Sequence, residues 1–446
     1  MKKSITIITF YTFINILGFS QGPAITSWIQ NNSVTGTYYN AGNSTAIGNN
    51  ILVNCQKVEY SNDYVYVMTE GVPSYTTGPF QDGNPSQAQA QGAIYKFPIN
   101  PQPNTSTATN TTAGNIGVFI NGVSLFDYRD GVAWNPTTNA LCGGPGNTPC
   151  PGGPNANMDW NRDAIPAEMS GFDCSKGHPS MGNYHHHQNP SAFKLDLNVI
   201  SNVCNLYDAD GLYAIDSSQH SPLIGFAYDG YPIYGAYGYK NTDGTGGVIR
   251  IKSSYQLKNI TARTNGPAVN NTYFLGYFRE DYEYISNPDP EFLDEHNGRF
   301  CITPEYPNGT YAYFATVDED WNSAYPYAVG PTFYGVYSNA SVNSVNESTT
   351  VYTATLNDET IKLDELKINI FPNPTIDVIA VQISQLSHIN LNIKLTDLKG
   401  QLIAEKNLNA GSTIAYFHTE TLYNGVYLIN INQLNNSITK KVIINK

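Results

Sequence analysis

The stretch Leu223–Tyr239, LIGFAYDGYPIYGAYGY, decides the fold class. Aromatic and aliphatic residues alternate with small ones, and Asp229–Gly230 punctuates the run. A repeat of two is the period at which an extended chain returns side chains to the same face, so the stretch reads as antiparallel strand. The texture recurs in DYVYVMTEG (Asp63–Gly71), GVFINGVSLFD (Gly117–Asp127) and GTYAYFATV (Gly309–Val317). Helical periodicity is scarce, and the one short helix expected lies near NRDAIPAEM, Asn161–Met169. Asn100–Gly114 and the Gly/Pro-rich Asn139–Asn157 read as loops. The expected architecture is mainly β.

The first twenty residues join Lys2 and Lys3 to an apolar run and end on the small residues Gly18 and Ser20, the pattern of an export signal. No later window approaches the roughly 20 apolar residues a transmembrane helix needs, so no membrane span is expected. From Gly22 to Glu365 there are 32 acidic and 14 basic residues, whereas Leu366–Lys446 holds 4 and 7. An acidic body is repelled by phosphate backbones and anionic lipid, which argues against nucleic acid and membrane surfaces as partners. The cysteines, Cys55, Cys142, Cys150, Cys174, Cys204 and Cys301, are even in number and suit an oxidising compartment. Cys142 and Cys150 flank a turn-rich loop and are the favoured pair. Residues 21–337 read as one large β-rich domain. The polar stretch 338–365, which begins SNASVNSVNESTT, reads as a linker, and 366–446 as a small sandwich of strictly alternating strands.

Three adjacent histidines, His185, His186 and His187, stand in GHPSMGNYHHHQNP, Gly177–Pro190. On an extended strand His185 and His187 share one face and His186 takes the other. Two imidazoles are half of a zinc or copper site, so further ligands must arrive from elsewhere. His178, with Pro and Gly permitting a turn back, and His220, ahead of the aromatic strand, are the candidates, with His296 behind them. The bland alternative is a set of solvated or hydrogen-bonded loop histidines.

The last 80 residues or so carry FPNP at Phe371, a turn at Asp397–Gly400, NGVYLI around Gly425 and Tyr427, and the basic residues Lys440, Lys441 and Lys446. In these features the segment resembles the type A C-terminal sorting domain of the type IX (Por) secretion system. The resemblance implies an Ig-like sandwich, handling by the type IX secretion machinery, passage across an outer membrane, removal of the tail, and attachment to or release from the cell surface. The body from about Asn62 to Gly335 resembles the YHYH domain family. The matching blocks are GVFINGVSLFD; AEMSGFDCSKGHP with Glu168, Asp173, Cys174 and His178; Tyr184, His185 and His187; HSPLIGFAYDGYPIYG with His220 and Asp229; and LDEHNGRFCITPEYPNGTYAYFAT followed by YPYAVGPTFYG. Metal binding through the histidines is what this resemblance implies. It also implies a Tyr where His186 stands, a His in the segment GVPSYTTG that offers Ser74 and Tyr75, a Cys at His296 and a His at Ala312.

Other chemistries leave fainter traces. There is no GxSxG elbow and no phosphate-cradling glycine loop. Glu168, Asp229, Asp294, Glu295 and Asp318 are conceivable glycosidase carboxylates, although sequence places no two across a cleft. DADG at Asp208 resembles the opening of a calcium loop without its later ligands, and an Asx turn is the plainer reading. With an open metal position, Glu168 or Asp229 would serve as base for hydrolysis. A rival reading makes the tyrosines of FAYDGYPIYGAYGY an extracellular glycan-binding, adhesive groove, against the alternative that they fill a sheet core.

Overall fold

The computed structural model describes residues 21–80, 87–144, 146–153, 158–207, 209–353, 368–383, 391–408, 414–433 and 436–446. The expected export signal lies outside these residues, as does Asp208. The protein is mainly β, with two short α-helices, Pro23–Thr26 and Ala164–Glu168. Among the described residues no helix is long and apolar enough to cross a membrane.

The body is organised by a mixed eight-stranded sheet. Its strands, edge to edge, are His178–Ser180, Asn183–His186, Ser124–Phe126, Asn115–Phe119, Leu223–Ala227, Pro232–Tyr234, Thr310–Phe314 and Gly298–Cys301. The opening stretch folds as expected into Leu223–Ala227 and Pro232–Tyr234, antiparallel about the Asp229–Gly230 turn. Both strands are buried on both faces because other parts of the body pack on each side of the sheet there. Asp229 holds the turn, accepting hydrogen bonds from Tyr231 N, Gly335 N and the Tyr313 hydroxyl at 3.2, 2.8 and 2.6 Å.

A second, antiparallel sheet orders Ser341–Val342, Ala93–Pro98, Tyr64–Thr69, Cys55–Tyr60 and Thr350–Tyr352. Both sheets contribute to one core, which includes Val67 and Phe97 from one and Val118, Phe226 and Ile233 from the other. Trp28 packs between them, 5.5 Å from Phe97 and 5.2 Å from Phe226 between ring centroids. Two pieces of the expected linker, Ser341–Val342 and Thr350–Tyr352, are therefore edge strands of this sheet. Their polar composition suits an edge, where one side of the ladder faces water.

The tyrosines of the opening stretch divide between core and rim. Tyr228, Tyr231 and Tyr234 are buried, whereas Tyr237 and Tyr239 are half-buried. Disulfides join Cys142 to Cys150, the favoured pair, and Cys174 to Cys204. Cys55 and Cys301 remain free thiols in the core, so pairing is not complete.

The tail is a separate sandwich. Ile368–Phe371, Val378–Ile383 and Ile414–His418 face Leu402–Leu408, Leu391–Thr396, Gly425–Gln433 and Asn436–Ile444 across a core of Ile379, Val381, Ile393, Leu395, Ile429 and Ile431. Asp397 closes the expected turn by accepting from Lys399 N and Gln401 N, with Gly400 at φ +81°. Only glycine adopts that conformation without steric cost.

Candidate metal centre

The edge of the large sheet that carries the histidines is a two-residue hairpin. Met181 and Gly182, with φ of +51° and +87°, turn His178–Ser180 back on Asn183–His186. Positive φ at both central residues matches the twist of the flanking strands, so the register is fixed. In that register His178 stands directly across from His185. His187 follows two residues on, on the same face as His185.

Three imidazoles therefore converge. One ring nitrogen from each of His178, His185 and His187 lies within 4.8 Å of the other two, and all three residues are buried. The Nε2 atoms of His185 and His187 are 3.1 Å apart. Hydrogen bonds on the far side of the His185 and His187 rings fix which of their nitrogens is free. Nδ1 of His185 faces the carbonyl of Asn183 at 2.9 Å, and Nδ1 of His187 faces that of Asp127 at 2.6 Å. A carbonyl only accepts, so each Nδ1 carries the proton and each Nε2 turns a lone pair inward. Phe126 stacks on His185 at 3.8 Å between centroids, and Phe172 packs edge-on to His178 at 4.9 Å. These rings exclude water and hold the imidazoles in place.

A fourth donor comes from the helix Ala164–Glu168, whose N-terminus is capped by Asp163 accepting from Ile165 N at 2.9 Å. Glu168, its last residue, places Oε2 3.3 Å from Nε2 of both His178 and His187. That oxygen is buried and has no hydrogen-bond partner among the described residues. Burial alone would raise the Glu168 carboxyl, but the two imidazoles outweigh it and hold the group well below the usual carboxylate range. His185 is held well below its ordinary value by burial and by the neighbouring imidazoles. The imidazole nitrogens and the carboxylate therefore need a positive species between them, a proton on an imidazole or a metal ion.

The separations fit an ion. Four ligands about 2.0–2.1 Å from a tetrahedral zinc lie about 3.3 Å from one another. Three of the six edges, 3.1, 3.3 and 3.3 Å, have that length, and the edges from His178 to His185 and His187 lie within 4.8 Å.

His220 stands outside this group. Its Nδ1 donates to the Ser221 carbonyl at 2.8 Å, its ring packs on Tyr234 and Tyr239, and burial pushes it down to about 4. Of the other carboxylates considered, Asp229 and Asp294 hold backbone turns and tyrosine hydroxyls. Asp318 makes an Asx turn with Asp320 N and Asn322 N. His296 bonds Thr332 Oγ1 at 2.6 Å. Of the DADG stretch, Asp210 lies within reach of Lys194 at 3.4 Å.

A profile described as YHYH protein matches residues 94–326. The chain belongs to the YHYH protein family. A secretion system C-terminal sorting domain matches residues 369–445. This YHYH protein is accordingly exported through the type IX machinery and directed to the cell surface. No curated protein matches the chain.

Within this YHYH protein His186 points away from the three ligating candidates. Its Nδ1 donates to the Lys176 carbonyl at 3.0 Å, and its Nε2 accepts from the Tyr75 hydroxyl at 2.7 Å. His186, which stands where the resemblance implies a Tyr, is thus hydrogen-bonded to Tyr75 of the segment GVPSYTTG. Sequence reading weighed Glu168 as a base and as a glycosidase carboxylate, not as a metal ligand. The Asp127 carbonyl and the Phe126 ring were beyond its reach, because neither leaves a compositional signal.

Proposed function

We propose that this surface-directed protein binds one divalent transition-metal ion, zinc or copper, through Nε2 of His178, His185 and His187, with Glu168 Oε2 as the fourth ligand. The observation that carries the reading is the convergence of three buried imidazoles, one ring nitrogen of each within 4.8 Å of the others, with Glu168 Oε2 3.3 Å from two of them. Imidazole and carboxylate suit zinc or copper better than calcium, which takes six to eight oxygens. With four protein donors the centre is closed, which favours a structural or carrier role over hydrolysis, where one position must stay open to water. Metal analysis of the purified chain is the test. Wild type should hold one ion per chain, and His185→Ala and His187→Ala should each lose it; unchanged content in both variants rejects the reading.

The glycan-binding alternative has less support, since Tyr228, Tyr231 and Tyr234 are buried and only Tyr237 and Tyr239 reach the rim. A polysaccharide pull-down that depends on those two rings would revive it. Removal of the tail after export is part of the proposal, and mass analysis of the surface-attached form checks it.

A further inference from the structure

Lys176 is among the largest side chains with no solvent contact in the protein. Its Nζ lies 2.7 Å from Asp196 Oδ1 and 3.2 Å from Ser191 Oγ, and 5.2 Å from the centroid of the Phe193 ring. Neither charged side chain is exposed. The second carboxylate oxygen of Asp196, Oδ2, is buried without a hydrogen-bond partner among the described residues. A buried ion pair repays its desolvation only when the remaining lone pairs are satisfied. Here one is not. The metal centre makes no use of either group.

We propose that Lys176 and Asp196 are joined by an intramolecular isopeptide bond that forms once the body has folded. Nζ is in contact with Oδ1, so the carboxyl carbon, one covalent bond further on, is within the nitrogen's reach in a fixed and water-free setting. The ammonium passes a proton across the 2.7 Å hydrogen bond, leaving a neutral amine and a carboxylic acid. The nitrogen lone pair then forms the N–Cγ bond, the C–OH bond breaks, and a proton from nitrogen leaves with the hydroxyl as water. Nothing is oxidised or reduced, and no co-reactant is required. Ser191 Oγ, which accepts from Nζ and from Asn189 Nδ2 at 3.0 Å, is the group placed to relay that proton. The product removes both buried charges. It also closes a loop around His178, His185 and His187, inside the wider loop closed by Cys174–Cys204.

The test is mass spectrometry of the purified, disulfide-reduced chain. A mass one water below that calculated for the purified form from its determined termini, with fragment ions from a branched peptide joining Lys176 to Asp196, is the expected result. An unreduced mass with separate linear peptides for the two residues overturns the proposal and leaves an ordinary buried ion pair. Lys176→Arg should restore the full mass; if that variant fails to fold, the wild-type fragment spectrum still decides. Ser191→Ala should lower the joined fraction at a fixed time after folding, and an unchanged fraction overturns the relay.

Discussion

At the scale of single residues, the Tyr75–His186 pair is a buried hydrogen bond on the face of the strand turned away from the three imidazoles. Burial pushes His186 down to about 3, so the ring is neutral and can accept from the Tyr75 hydroxyl while donating to the Lys176 carbonyl. Tyr75→Phe leaves a buried nitrogen without its donor. The expected cost is about 1–3 kcal/mol in urea denaturation, with metal content retained, because the pair faces away from the three ligating candidates. Asp229 offers a second residue-scale test. Burial, only partly offset by its hydrogen bonds from Tyr313, Gly335 and Tyr231, pushes its carboxyl from 3.8 up to about 6. A carboxyl raised in the fold contributes stability that is complete below pH 3.8 and lost as pH climbs through 6. Wild type should therefore exceed Asp229→Asn in unfolding free energy by more at pH 4 than at pH 7.5, by up to about 3 kcal/mol.

At the scale of elements, the hairpin His178–Ser180/Asn183–His186 sets the register on which the centre depends. Gly177 precedes it, and a Cβ there would collide with the Tyr184 hydroxyl and crowd the His185 carbonyl. Gly177→Ala should displace the facing strand, lower the melting temperature and reduce bound metal together, as calorimetry and metal analysis of one preparation would show. Much of this hairpin was legible in the sequence. Strand periodicity put His185 and His187 on one face, and the intervening Gly allowed His178 to return, because both facts depend only on local geometry. His220 was misplaced for the opposite reason. Its neighbours in space, Tyr234 and Tyr239, are set by long-range pairing that a local pattern does not encode. Glu168 was read as a base or a glycosidase carboxylate, and its place beside two imidazoles did not show, since the end of a short helix appears in sequence only as a polar residue. Residues 338–365 were read as linker from composition alone, and the edge strands Ser341–Val342 and Thr350–Tyr352 within them have the same composition because one side of each is wet.

At the scale of the whole molecule, the body and the sorting domain have separate cores, although Ala214 of the body packs with Val378, Ala380, Ile414 and Tyr416 of the tail. A chelator should accordingly lower the melting transition of the body and leave that of the tail in place. An ion at a hundred times its dissociation constant stabilises by about 2.7 kcal/mol, which is the size of shift to look for. A chain ending at residue 353 should keep the body's transition and its metal.

The Cys174–Cys204 bond brackets the segment that supplies all three imidazoles. A thiol pair stays reduced in the compartment where the chain is synthesised and oxidises only beyond it. A pocket completed only once that bond has formed would draw any ion from the surroundings and not from intracellular stores.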